Sequence, residues 1–489
     1  MRTHPRSSVS DDDIPTDVAK ARGGHLLDAG DLPEPLPLRR VVGPSLVLLA
    51  VSVGSGEFVL WPFVSSKAGM GLLWVALVGL LTHYFVNMEI ERYTLATGET
   101  VITGFTRMWR PWAWIFTLFI AVPWIWPGWV AGASTVAGFV FGWQPDTVAT
   151  VSVLGLVAIG ISLSLSPVVY RVVERIQWVF VAWVVAFAIA AVVMATDLDT
   201  WTAVATDLSL QLHPDLSPTL ILGLLVFAGA GGTLNLALSN WVRDKGMGMG
   251  AHLGPIESPL TGSPTNTAPI GKLFRESDEN MRRWRGWWNV ANQEHFVFFF
   301  LLGLSLIAMF SALSAATVFG LDLGGGFNFI RAEGQALGEQ VGPWFRSLFW
   351  VSGVVILFST NLGILDHMGR LIADILKVNW LSDRGSWSES KLYVAVVWAE
   401  IVAGSVILLF ALDAPLRLMV IAGSLSGVVM FVYSALLIRL NRKALPGAIK
   451  LKGIRLWAMV WAVVLFGGFS FYVVWTGVVP TVAGIGGGG

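Results

Sequence analysis

VVGPSLVLLAVSVGSGEFVLWPFV (41–64) and TLILGLLVFAGAGGTLNLALSNWV (219–242) decide the fold between them. Each is long and apolar enough to cross a bilayer core of about 30 Å as a helix. Each also carries glycines at its middle, where glycine weakens a helix by about 1 kcal/mol per residue. They are Gly54 and Gly56 around Ser55 in the first stretch, and Gly229, Gly231 and Gly232 in the second. A helix interrupted in mid-membrane frees amide and carbonyl groups that lipid cannot satisfy, so the interruption has to lie inside protein or line a cavity. Small residues also pack membrane helices closely. Two clusters at equivalent places, each followed by a polar residue, favour breaks over packing.

Working outward, nine more apolar stretches lie near 71–91, 113–141, 148–167, 173–195, 294–319, 345–369, 392–412, 415–438 and 455–478, giving eleven spans. The two interrupted helices open successive five-span halves. That placement is the pattern of an inverted-repeat carrier whose binding site lies between the breaks. The chain is expected to be an all-α polytopic membrane protein. Residues 1–40 read as a disordered polar tail with too little apolar surface to fold. Residues 41–438 read as the transport domain, and 439–489 as a loop, the eleventh helix and a glycine-rich end.

Composition agrees. Of 489 residues 55% are hydrophobic and 13% charged, against about 25% charged in soluble domains. The 24 Trp and 28 Phe supply interfacial anchors and lipid-facing bulk. A net charge of zero gives no nucleic-acid partner, and the absence of cysteine excludes disulfides and thiolate ligands. No HExxH, CxxC or nucleophile–base constellation appears, so an enzyme is not expected. The lipid bilayer and a small cationic solute are the expected partners, with no protein partner to infer.

Basic residues set the orientation, because Lys and Arg are retained on the cytoplasmic side. With the N-terminus inside, 28 of the 32 Lys and Arg fall on inner segments; only Lys67, Arg331, Arg346 and Arg417 fall outside. The expectation is a multi-pass protein of the cell membrane, N-terminus cytoplasmic and C-terminus outside. The long inner loop near 243–292 reads as a basic, Trp-anchored interfacial segment.

Glu57, just after the first break, is the main site candidate, since a carboxylate in mid-membrane is costly and functional by default. It also reads as a cap of the outer half-helix, stabilised by the dipole. Gly54, Ser55, Gly56, Gly231, Gly232, Thr233 and Asn235 complete the expected substrate site, with Glu57 and Asn235 as metal ligands. Trp126, Trp129, Ser239, Asn361, Asp366 and Glu400 are pathway candidates, though Asp366 and Arg370 at i,i+4 spacing read first as a structural ion pair. Trp124, Trp126 and Trp129, in one span with Pro123 and Pro127, read as packing around a kink before an aromatic wall for a cation. Glu89, Glu91 and Arg92 read as snorkelling to the interface, and His83 as a packing residue.

The order of GPSLVLLA, the first break, GLLW (71–74), ATGET (96–100), NLALS (235–239) and FSTNLGILDHMGRLIADIL in the eighth span resembles the Nramp family of divalent-metal transporters over about 41–440. That resemblance implies a LeuT-like 5+5 inverted repeat and proton-linked uptake of manganese or iron. The functional positions depart from the family. Its Asp-Pro-Gly-Asn motif falls on Gly54, Ser55, Gly56 and Glu57, and its Met-Pro-His on Gly232, Thr233 and Leu234. Two acids of its proton path fall on Trp126 and Trp129, and a second histidine on Ser239. The expected activity is therefore that of a secondary carrier of a small cation, most simply a divalent metal ion as substrate, with no resident cofactor and no proton coupling. GSGEF also resembles the first span of amino-acid permeases, so an amino-acid or organic-cation permease of the same superfamily is the alternative.

The topology can be checked on this cysteine-free background. A single cysteine at Thr200 or Gly325 is expected to react with an impermeant thiol reagent from outside, and one at Ser388 to stay protected; the reverse pattern would overturn the orientation.

Overall fold

The structure, a computed structural model, describes residues 28–166, 168–206, 216–260, 270–321, 323, 326–382, 384, 386–410 and 415–478. Gly325, residues 1–27 of the expected tail and the glycine-rich end lie outside the described residues.

Among the described residues ten helices are long and apolar enough to cross a membrane: Pro44–Ala68, Leu73–Thr97, Trp112–Phe141, Thr147–Leu165, Val169–Ala195, Asp278–Val318, Pro343–Asn379, Glu389–Phe410, Pro415–Lys443 and Ile454–Thr476. The expected sixth span completes the set as two halves, Pro218–Val226 and Leu234–Asp244. Local chemistry fixes the ends. Pro44 and Pro218 stand in first turns, where the missing N–H costs nothing. Ser217 accepts the Leu220 N–H, Ser277 accepts that of Asn280, and Gly98 closes the second span at φ 76°.

The two breaks are built differently. In the sixth span residues 227–233 leave the helix, and Gly229, Gly231 and Gly232 take φ of 128°, 68° and 52°. A β-carbon is penalised in that region, so glycine is required there. In the first span the chain turns at Val53–Ser55 and resumes as a π-helical turn, Gly56–Leu60, before Trp61–Ala68. Phe58 N–H donates to the Val53 carbonyl (2.9 Å) and Leu60 N–H to that of Ser55 (3.1 Å), so amides expected to be free are satisfied. The first break is thus bridged and the sixth is open. The third span carries an interruption of its own, Ile125–Pro127, between Trp112–Trp124 and Gly128–Phe141.

The broken helices run antiparallel. Pro44–Ser52 packs on Leu234–Asp244, and Gly56–Leu60 packs on Pro218–Val226. They meet at the breaks, where a β-carbon on Gly56 would overlap the Phe227 carbonyl oxygen. Gly54 N–H donates to Thr360 Oγ1 of the eighth span (3.1 Å). The apolar window of the first span is 94% buried and that of the eighth 72%, against 28% for the fifth and 22% for the eleventh. The first and eighth spans therefore form the centre, and the fifth and eleventh the periphery. The eleventh packs along the tenth and the second.

Two expectations need correcting. The seventh span begins at Asp278 rather than near 294, so its first turns replace much of the anticipated inner loop. The tail is docked from Asp28 onward. Strand β1 (Asp28–Gly30) pairs in parallel with β2 (Lys272–Phe274). Leu32 is fully buried, its N–H held by Asn280 Oδ1 (3.0 Å), and Trp287 donates to the Pro33 carbonyl (2.8 Å). Burial of Leu32 and these long-range bonds offset the ordering entropy that the polar composition alone left unbalanced.

The contact at Gly56 is open to test. Gly56→Ala is expected to destabilise the purified protein by about 1–3 kcal/mol through forced overpacking. Gly468→Ala, where an added β-carbon meets nothing within 4 Å, is expected to stay within about 0.5 kcal/mol of wild type. Equal thermal unfolding midpoints for the two variants would overturn the contact.

Candidate functional site

Glu57 lies at the start of the π-helical turn and is fully buried. Its Oε1 accepts the Ser52 hydroxyl (2.9 Å), and its Oε2 has no hydrogen-bond partner among the described residues. A desolvated carboxylate with a vacant oxygen is a costly arrangement unless something binds there. Next to it, Ser55 Oγ accepts the Trp129 indole N–H (2.8 Å). Trp129 stacks on Trp124 (centroids 5.4 Å apart), and both stand edge-on to Phe227 in the sixth-span break (6.2 Å).

From Trp124 the chain of contacts continues to the eighth span. Its ring meets His367 edge-on at 5.1 Å. His367 Nδ1 lies 2.9 Å from the Ile364 carbonyl and Nε2 lies 3.1 Å from Thr233 Oγ1. A carbonyl only accepts, so Nδ1 carries the proton and Nε2 accepts from Thr233. Ser55, Trp129, Trp124, His367 and Thr233 thus link the two breaks through the third and eighth spans. Of the expected residues, Gly54, Ser55, Gly56, Glu57, Thr233 and Trp129 belong to this assembly.

Asn235 does not join it. Two residues along a helix turn a side chain by about 200°, so Asn235 faces away from Thr233. Its amide nitrogen donates to the Tyr433 hydroxyl (2.9 Å) and lies 3.0 Å from His83 Nδ1, while its Oδ1 has no partner. Among the described residues no hydrogen bond connects Asn235 to Glu57. Gly231 and Gly232 shape the open break, with Gly232 directed at the Ser426 hydroxyl. His83 is a hydrogen-bonded packing residue, its Nε2 being 3.3 Å from the Leu225 carbonyl.

The pathway candidates separate by environment. Trp126 is half-buried and its indole N–H is unpartnered; Asn361 is buried with a vacant amide nitrogen; Glu400 is half-buried with Oε2 unpartnered. Ser239 donates to the Leu236 carbonyl within its own helix (2.6 Å). Asp366 is saturated by Arg370 Nε (2.9 and 2.8 Å), the Trp241 indole (3.0 Å) and the Tyr393 hydroxyl (2.9 Å). Arg370 also pairs with Asp244, and Arg243 pairs with Asp244, Asp374 and Glu389. Asp366 is therefore part of a buried ion-pair lock joining the sixth, eighth and ninth spans.

One cluster was not anticipated. Glu91, Glu294 and His295 each offer a ligand atom, and these atoms lie within 4.8 Å of one another. Glu91 is fully buried and does not snorkel. The signal available in the sequence was the pair Glu294-His295 set against the apolar run FVFFFLLG, at a point where an acid needs a partner inside the protein.

No protein-family model and no curated protein matches the sequence. Solved structures match closely in shape. The Eremococcus coleocola manganese transporter, in complex with an aromatic bis-isothiourea substituted compound, superposes with a TM-score of 0.66 at 12% identity, over 92% of this chain and 90% of that one. A point mutant of the same transporter gives 0.65 at 12% identity, over 92% and 91%. Mhp1, a nucleobase-cation-symport-1 family transporter in a closed conformation with bromovinylhydantoin bound, gives 0.51 at 14% identity, over 91% and 96%. The chain has the LeuT-like inverted-repeat fold that these membrane transporters share.

Proposed function

We propose that this protein is a secondary carrier that moves a small cation, a divalent metal ion, across the cell membrane by alternating access. The observation that carries the reading is Glu57, a fully buried carboxylate with one vacant oxygen, placed where two interrupted helices touch. Ion binding there compensates a desolvated charge that the protein leaves unpaired. The likeness in fold to a manganese transporter supports the same class of substrate. Ser55 and Thr233, with carbonyls of the sixth-span break, supply neutral oxygens; Asn235 can join only after turning from Tyr433. The distribution of Lys and Arg supports a cytoplasmic N-terminus and an outer C-terminus.

The donor set around the breaks is hard. Neither break contains Met or Cys, so oxygen ligands select magnesium, calcium or manganese over softer ions. A second reading, an organic-cation permease, draws on the rings of Trp124, Trp129 and Phe227 beside Ser55, since indole faces attract cations.

Reconstituted vesicles test both. Glu57→Gln is expected to lower manganese uptake roughly tenfold to a hundredfold, the scale of one lost charge-assisted contact. Uptake at the wild-type rate by that variant would reduce Glu57 to a helix cap. Cadmium bound much more tightly than magnesium at the breaks would contradict the hard donor set, and saturable uptake of an organic cation with no metal uptake would favour the second reading.

A further inference from the structure

Glu91, near the last turns of the second span, meets Glu294 and His295 of the seventh where the first span begins. Glu294 Oε1 accepts the backbone N–H groups of Gly43 and Ser45 (3.1 Å each), and its Oε2 accepts the Ser45 hydroxyl. Ser45 Oγ lies 2.7 Å from His295 Nδ1, which lies 3.5 Å from Glu91 Oε1. Both carboxylate oxygens of Glu91 and the Nε2 of His295 have no hydrogen-bond partner, although all three residues are fully buried. The imidazole is held flat against Phe299, centroids 4.6 Å apart, and the Tyr84 ring lies tilted beside it at 5.6 Å.

The charges around this pocket have their close partners elsewhere, although Arg455, with no hydrogen bond at Nη1, and Lys245 still act on Glu91 and Glu294 through space. Arg92 pairs with Glu89 in a two-nitrogen contact (2.7 and 2.9 Å). Arg455 donates to Asn292, lies 3.9 Å from Glu89 and stacks over Trp288. Lys245 pairs with Glu174 at 2.5 Å and faces the Tyr170 ring. Among the described residues no Lys or Arg nitrogen lies within ion-pair distance of Glu91 or Glu294. Two carboxylates and an imidazole therefore converge, buried, without a fixed cation.

We propose that Glu91, Glu294 and His295 form a second cation site, separate from the helix breaks, for a divalent transition ion such as Mn2+. Two carboxylates match the charge of a divalent ion, and the imidazole nitrogen favours manganese, iron or zinc over magnesium and calcium. Ligands at about 2.0–2.2 Å from a metal lie up to roughly 4.4 Å apart, so atoms that already lie within 4.8 Å of one another reach that range by a small side-chain adjustment. The amides of Gly43 and Ser45 hold Glu294 in place as outer-shell donors, the arrangement that orients ligating carboxylates. The site is tied to the start of the first span, and its occupancy does not depend on Glu57.

The test uses full-length protein in detergent with Mn2+ as the probe, counted by titration and observed by electron paramagnetic resonance. Glu57→Gln protein is expected to retain one Mn2+ per chain, with a nitrogen coupling from the imidazole. Adding Glu91→Gln to it is expected to weaken that binding at least tenfold, the lower scale of a lost ligand contact. Glu91 accepts no hydrogen bond, so the amide removes none; Glu91→Leu serves as a second variant with the same expected loss. Adding His295→Asn is expected to remove the nitrogen coupling. The proposal is overturned if Glu57→Gln protein binds no Mn2+, or if the Glu91 variants bind it as tightly and with the same nitrogen coupling. Wild-type uptake by Glu57→Gln would instead count against the transport reading and leave this one standing.

Discussion

The backbone contact between Gly56 and the Phe227 carbonyl is the constraint on which the rest of the membrane domain depends. Because no side chain separates them, the bridged first helix and the open sixth helix meet at main-chain distance. That closeness aligns Ser55 with the Trp129 indole, Gly54 with Thr360 and Thr233 with His367. The glycines on the two sides serve different ends. Gly229, Gly231 and Gly232 are required by positive φ, whereas Gly54 and Gly56 keep negative φ and are required by space. A side chain would fail at either place, for a different physical reason at each.

A second constraint acts at the end where the first span begins. Arg243 and Arg370 lie fully buried among Asp244, Asp366, Asp374 and Glu389, with Thr100 and Thr103 donating to Asp374. Removing such charges from water is costly, and close pairing offsets that cost here, with Arg370 Nη2 left without a hydrogen-bond partner among the described residues. Its value is positional. Loss of one partner leaves an uncompensated charge, so the sixth, eighth and ninth spans are held in one register at this end. The vacant oxygen of Glu57 belongs to the opposite regime, where incomplete satisfaction leaves room for a ligand.

Much of this was legible in the sequence, and the failures share a cause. Apolar length revealed the spans, glycine clusters in mid-span revealed both breaks, and i,i+4 spacing revealed the Asp366–Arg370 pair. All are local signals. The docking of Asp28–Gly30 on Lys272–Phe274 joins segments more than 240 residues apart, and the grip of Glu294 on Gly43 and Ser45 spans a similar separation. Glu91 read as an interfacial acid because its position along the helix was legible while its direction was not. The direction of Asn235 was hidden for the same reason: it follows the break, as a ligand would, yet its amide nitrogen faces His83 and Tyr433. Periodicity tells how far along a span a residue lies, and packing decides which neighbour it faces.

The two acidic sites differ in what they ask of an ion. Glu57 offers one carboxylate and surrounds it with neutral oxygens and rings, so an ion there keeps much of its charge uncompensated and its own water is hard to replace. A carrier needs that weakness, because a site which binds too favourably does not release. Glu91, Glu294 and His295 offer two carboxylates and a nitrogen with no Lys or Arg nitrogen at ion-pair distance among the described residues, a set suited to holding an ion rather than passing it on. Glu294 is also the residue that grips the start of the first span. An ion drawn to its Oε2 competes with the Ser45 hydroxyl while Oε1 stays on the two amides. The first helix thus carries a weak acidic site at its break and abuts a strong one at its entry, and the stiffness of the nine-residue helix between them, Pro44–Ser52, ties any shift at the entry to the geometry at the break.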